Sequence, residues 1–202
     1  MELKQTILYK AHSLLQQEGI KHFTEPELAH HLGISETTFH QLFHSKEELV
    51  RQVFQFELAG RKQDHQRLFA AEPNAVLQLL SLVKLSLDEL KQSQVLFLYE
   101  AQELYPATWE LYWRDLAEYT HHVIYNILNA GVLSGDLRKD LNLELVVKIM
   151  LEQLNIAVNP TIFPPDRYNL AEVFRSIFLY YIRGLCTDLG MKRADHFFAT
   201  LK

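Results

Sequence analysis

The sequence is poor in the residues that crosslink or interrupt a chain. Among 202 residues there is one cysteine, Cys186, with seven glycines and six prolines. A single cysteine excludes an internal disulfide framework and a multi-cysteine zinc site, and makes a reducing cytoplasm the expected compartment. So little glycine and proline excludes collagen-like and linker-rich chains and argues against turn-rich all-β architectures. Apolar runs are short, such as Ile177 to Ile182, whereas a membrane span needs roughly 20 residues; no membrane association is expected. The opening MELKQTILYKAHSLL has no apolar core of a signal peptide. Positive charge is not in excess: 20 Lys and Arg face 25 Asp and Glu, a net charge of −5. That balance argues against indiscriminate nucleic-acid binding and still permits a local DNA-reading surface. With 48% hydrophobic residues, the chain has too much apolar side chain to stay disordered.

What is present is helical periodicity. Ile7, Leu8, Ala11, Leu14 and Leu15 fall on one face of a helix, which should stop at Gly19. Thr24 and Glu27 form a capping box around Pro26, opening a helix over 25–32 that turns Leu28, Ala29 and Leu32 inward. Ser35 caps a short helix over 36–42, with Phe39 and Leu42 inward. Ser45 and Glu48 form a second capping box and open a long helix over 46–70. Further helices are expected over 76–91, 94–104, 107–130 (ending at Gly131), 141–158 and 166–189. Loops are expected at Pro73-Asn74, over 131–140, and over 159–166 with Pro160, Pro164 and Pro165. No stretch alternates in the manner of a strand, so the fold is read as all-α.

The two short helices, joined around His31-Leu32-Gly33-Ile34-Ser35, read as a helix-turn-helix. Ala29 is small enough for the helices to approach. Gly33 carries the backbone through the turn, and Ile34 plugs the gap. Ser35 caps the second helix, a rod of a size that enters a major groove.

On these residues the chain resembles the tetracycline-repressor (TetR) family of transcriptional regulators. The matching stretches are Ile7-Leu8 with Ala11, Gly19 with Phe23-Thr24, Leu28-Ala29, Leu32-Gly33-Ile34-Ser35, Thr38-Phe39, and Phe43 with Ser45-Lys46-Glu47-Glu48-Leu49. They cover about one quarter of the chain, and their combined spacing is specific. The resemblance implies a homodimer of all-α subunits. Residues 1–48 would be the helix-turn-helix DNA-binding domain, and residues 49–202 a helical ligand-binding and dimerisation domain. A small-molecule effector would change the spacing of two reading heads on a palindromic, double-stranded DNA operator and release a repressor. The DNA contacts carried over are Thr24 and Lys46 on phosphate, with Glu36, Thr37, Thr38, His40 and Gln41 toward the groove. Ser35 and His44, which flank the reading helix, complete the candidate set. Three positions depart from the family pattern: His40 stands where Tyr is usual, Leu42 where His or Tyr is usual, and Thr37 where a small residue is common.

The charge of the head also departs from a DNA reader. Residues 1–62 hold seven Lys and Arg against eight Asp and Glu, so the phosphate-neutralising part of affinity should be small. Six histidines, His12, His22, His30, His31, His40 and His44, lie in the same region. With an ordinary pKa of about 6.5, they would add positive charge on mild acidification.

Aromatic residues are dense from Phe97 to Tyr125. Phe97, Tyr99, Trp109, Tyr112, Trp113 and Tyr125, with Glu100, are the candidate lining of an effector pocket for an apolar or aromatic molecule; the same rings also suit plain core packing. The broad apolar stripe containing Phe174, Ile177, Phe178, Tyr181 and Leu185 serves either as core or as half of an intersubunit four-helix bundle. Leu145 and Ile149 would stand on the partner helix, and the resemblance favours the interface. No metal site is expected, because His121 and His122 are adjacent and point apart and no H-E-x-x-H or C-x-x-C occurs. No cofactor motif, P-loop or nucleophile elbow appears, so no enzyme is expected. Two other functions remain compatible with the residues: a degenerate helix-turn-helix relative that binds protein, and an all-helical ligand-binding protein or enzyme built on the aromatic cluster.

Overall fold

A computed structural model describes residues 3–72, 74–92, 96–157, 159, 161–164 and 166–200. Pro73, Pro160 and Pro165, and the helix start expected at residue 94, lie outside the described residues. Among the described residues the chain forms ten α-helices and no strand, with one isolated antiparallel bridge between Leu137 and Cys186. In chain order these are α1 (Leu3–Glu18), α2 (Glu25–Leu32), α3 (Glu36–Phe43), α4 (Lys46–Ala71) and α5 (Ala75–Gln92). Then come α6 (Leu96–Leu104), α7 (Pro106–Leu133), α8 (Leu143–Ala157), α9 (Leu170–Leu185) and α10 (Asp188–Thr200). No helix among the described residues is long and apolar enough to cross a membrane.

The helices sort into two compact units. One comprises residues 1–63 and 93–116, the other residues 64–92 and 117–202. Both α4 and α7 contribute to each unit. In the first, Ile7, Leu8, Ala11 and Leu15 of α1 meet Leu28, Ala29 and Leu32 of α2, Phe39 and Phe43 of α3, and Leu49, Val50, Val53 and Phe54 of α4. Phe97 and Ala101 of α6 and Tyr112 of α7 join the same core. The unit that holds the helix-turn-helix is therefore completed by residues far along the chain.

In the second unit, Val76, Leu79, Leu80 and Val83 of α5 pack with Ile124, Ile127 and Leu128 of α7, Val146, Val147 and Met150 of α8, and Phe174, Phe178 and Ile182 of α9. His65 and Tyr119 stack and share a 3.0 Å hydrogen bond between Nδ1 and the phenol oxygen.

Asp136 ties the loops of the second unit together. Fully buried, it accepts through Oδ2 from Asn74 Nδ2 at 2.8 Å, Ser134 Oγ at 2.8 Å and Arg193 Nη1 at 2.9 Å. Its carbonyl accepts from the Thr187 amide at 3.0 Å. Asn74 also caps α5, its Oδ1 accepting from the Val76 and Leu77 amides at 3.1 Å each.

Three local expectations are corrected. Gly131 does not end α7, which runs on to Leu133; the left-handed turn falls at Gly135, with φ 77°. Gly131 is kept for close packing, since a Cβ there would stand 2.6 Å from Leu137 Cδ1. The last long helix is two helices, broken at Cys186-Thr187, where Leu137 pairs with Cys186 and Thr187 Oγ1 donates to the Gly135 carbonyl at 2.7 Å. Finally, Ser45 and Glu48 do not form a reciprocal box. Ser45 Oγ accepts from the Glu48 amide at 3.2 Å, while the Glu48 carboxylate takes Arg51 Nε at 2.7 Å and Gln52 Nε2 at 2.6 Å.

Candidate nucleic-acid interface

Short-range hydrogen bonds set the helix-turn-helix. At the start of α2, Glu27 Oε2 accepts from both the amide and the hydroxyl of Thr24, at 2.7 Å each, which holds the Glu27 carboxyl below its usual range. Gly33 ends α2 in the left-handed region at φ 74°, and the Ile34 amide donates to the Ala29 carbonyl at 3.0 Å. Ser35 Oγ accepts from the Thr38 amide at 3.1 Å and lies 2.8 Å from Thr38 Oγ1. An eight-residue helix is too short to persist alone. α3 is held by Phe39 and Phe43, both buried against the head core. It ends at His44, a non-glycine residue at φ 57° whose amide donates to the His40 carbonyl at 3.0 Å.

Eight of the nine DNA-contact candidates fall into two groups. Some are engaged by the protein itself. Thr24 is held by Glu27, and Ser35 and Thr38 by each other. His40 Nε2 lies 3.7 Å from Glu25 Oε2, and its Nδ1 is 3.3 Å from the His44 carbonyl. Lys46 is turned inward: its ammonium donates to the Phe23 carbonyl, its amide donates to Glu25 Oε1 at 2.7 Å, and burial pulls its pKa down. Glu36, Thr37 and Gln41 form the second group. All three are exposed, and among the described residues no hydrogen bond or ion pair engages their side chains. His44 is exposed as well.

The pocket candidates are distributed over both units. Phe97 and Tyr112 sit in the core of the first, where Tyr112 stacks on Phe54 with centroids 4.2 Å apart. Trp109 stacks on Trp113 at 5.5 Å. Burial raises the Tyr99 phenol. Glu100 is buried, and its carboxylate accepts from the Ile20 amide and from the Lys21 amide at 3.0 Å, fixing α6 to the turn after α1. Gly19 makes room for it; a Cβ there would lie 2.6 Å from Glu100 Oε2. Tyr125 belongs to the second unit and stacks on His121.

Sequence reasoning missed one half-buried carboxylate in the head. Glu57 on α4 accepts from Tyr112 Oη at 2.9 Å and Arg61 Nη2 at 3.3 Å, and lies 3.7 Å from His12 Nε2. Burial pushes its carboxyl up, and the contacts with His12, Arg61 and Tyr112 outweigh that and hold it low. The i, i+4 spacing to Arg61 was the available local signal.

Of the interface candidates, Phe174, Phe178 and Leu185 are buried within the single chain, and Ile177 and Tyr181 are half-buried. Leu145 and Ile149 on α8 are 54% and 37% exposed, and Ile156 continues their line at 43%. Among the described residues no group of three or more His, Cys, Asp or Glu is placed to hold a metal ion.

Residues 7–53 match the family model described as bacterial regulatory proteins, tetR family. None of the curated proteins matches the chain. Solved structures do. A TetR transcription regulator from Haloarcula marismortui is 17% identical, with 92% of this chain and 99% of that one covered at a TM-score of 0.78. Thermus thermophilus FadR, a TetR-family transcriptional repressor solved with lauroyl-CoA, is 23% identical, with 91% and 95% covered at 0.62. The ketosteroid transcriptional regulator KstR2 of Mycobacterium tuberculosis is 20% identical, with 92% and 95% covered at 0.61. At these identities the likeness is one of fold.

Proposed function

We propose, from a head whose residues 7–53 match the family model of tetR bacterial regulatory proteins, that this protein is a ligand-responsive, DNA-binding transcriptional regulator of the cytoplasm, acting as a repressor. The observation that carries the reading is α3 itself. It is a capped helix anchored by Phe39 and Phe43, with Glu36, Thr37 and Gln41 exposed and unengaged. Such a helix meets the requirement for entering a major groove: apolar residues fix it from behind, and the front stays available to base edges. Thr24, Ser35, Thr38 and Lys46 act by aligning the helix and its flanks, and His44 stands at its C-terminal edge.

Two copies reading a palindromic operator need a twofold contact. That contact is assigned to α8 and α9, through the outward residues Leu145 and Ile149 with Ile177 and Tyr181. The effector is proposed to be apolar or aromatic, on the density of rings between Phe97 and Tyr125. It releases DNA by binding the DNA-incompetent arrangement of the dimer more tightly than the competent one. No catalytic role is assigned to any residue.

The test is a mobility-shift assay at low salt with duplexes from upstream of the chain's own coding sequence. Retardation of one such duplex over a scrambled competitor supports the reading. Thr38→Ala and Gln41→Ala are then expected to weaken specific binding by about 1–3 kcal/mol each. Unchanged affinity in both would remove α3 from the reading role. A second reading, a head that docks a protein, draws on the acidic balance of residues 1–62 and the inward turn of Lys46; absence of any retarded duplex would favour it.

A further inference from the structure

We propose, resting on the DNA-reading assignment above, that Glu36 and Gln41 select operator bases bearing an exocyclic amino group in the major groove, cytosine or adenine, and that α3 does not read guanine. Glu36, Thr37, His40 and Gln41 all point to one side of a helix that turns about 100° per residue. α3 contains neither Lys nor Arg. Guanine presents N7 and O6 in the major groove, both acceptors, and is commonly read by a forked cationic donor. This helix has no such donor.

The unengaged carboxylate of Glu36 has the opposite chemistry. An ionised carboxylate only accepts hydrogen bonds, and the major-groove donors are cytosine N4 and adenine N6. Glu36 at the first position of α3 therefore finds a partner on those two bases. Gln41 is exposed and unengaged, and a glutamine amide pairs with adenine through N6 and N7. Thr37 supplies a methyl group suited to the thymine methyl opposite that adenine. His40, the other polar group on this side, has one ring nitrogen toward Glu25 and the other toward the His44 carbonyl. It is the weakest reader of the four. Ser35 and Thr38 are committed to the cap.

The experiment is selection of duplexes from a pool with a randomised centre, using the full chain at low salt, followed by quantitative binding to the enriched duplex. Each contacted base is then replaced by an analogue lacking the amino group: 2-pyrimidinone for cytosine, purine for adenine. An inverted repeat is expected whose binding depends on the amino group of a cytosine or adenine in each half-site. Loss of one amino group should weaken wild type about tenfold, and Glu36→Ala or Gln41→Ala should abolish the sensitivity at its own position. Glu36 and Gln41 are exposed, so both variants should keep the wild-type circular dichroism. Binding that is lost when a guanine is replaced by 7-deazaguanine but is indifferent to the amino-group analogues, or unchanged discrimination in both variants, would overturn this inference and leave DNA binding standing. A pool that yields no enriched duplex would remove the DNA-reading assignment, and this inference with it.

Discussion

Glu48 shows how a single surface-facing carboxylate acquires a role in the head. Its bidentate pairing with Arg51, then the contact with Gln52, takes its pKa from about 4.5 to about 2. A carboxyl depressed on folding contributes stability above its unfolded value, and that contribution is lost as pH falls toward the folded one. Acid unfolding of wild type should therefore steepen between pH 4.5 and 2, and Glu48→Gln should flatten that window while costing little near neutrality; a chemical-denaturation series against pH measures both. Single residues also mark what was legible in the sequence. Thr24 with Glu27 and Ser35 with Thr38 could be read because a cap closes over three residues. Glu100 could not, because its partners at Ile20 and Lys21 stand some eighty residues away. Its burial follows from backbone amides that carry no sequence signature.

Among the elements, Asp136 joins three that are distant in sequence. Asn74 before α5, the turn after α7 and Arg193 on α10 all donate to its carboxylate, and Thr187 at the start of α10 donates to its carbonyl. Asp136→Ala leaves several of those donors without an acceptor and should lower stability by about 3 kcal/mol, because each hydrogen bond to a charged group contributes about 1.5–3. Asp136→Asn, which keeps an acceptor oxygen, should lose less; urea midpoints of the two variants separate these outcomes. The same region explains two misplaced helix ends. Glycine is a stop signal only where the chain needs positive φ, and here Gly135 meets that condition while Gly131 serves Leu137. Likewise the apolar period continues through Cys186, so nothing in the pattern announces a break made by the pairing of Cys186 with Leu137.

At the scale of the whole molecule, helix periodicity gave the all-α class and eight of the ten helices to within a few residues, since each has a local apolar stripe. The assembly rests on less. Leu145, Ile149 and Ile156 form an exposed apolar line on α8, of the kind that marks a contact surface more often than bare solvent exposure. The double variant Leu145→Glu, Ile149→Glu should run as a monomer in sedimentation velocity where wild type runs as a dimer. Its helical content should be unchanged, and its operator affinity should fall, since one reading head is left per particle. A wild-type chain that sediments as a monomer would defeat the assignment.

The first unit is not a contiguous stretch of sequence. It is assembled from residues 1–63 and 93–116, and Phe97, Ala101 and Tyr112 of the later segment fill its core. An engineer wishing to transplant this reading head onto another sensor would have to make three splice points, after residues 63, 92 and 116. A fragment ending at residue 48 would leave Leu49, Val50, Val53 and Phe54 behind as well, and would bare the very surface those side chains cover.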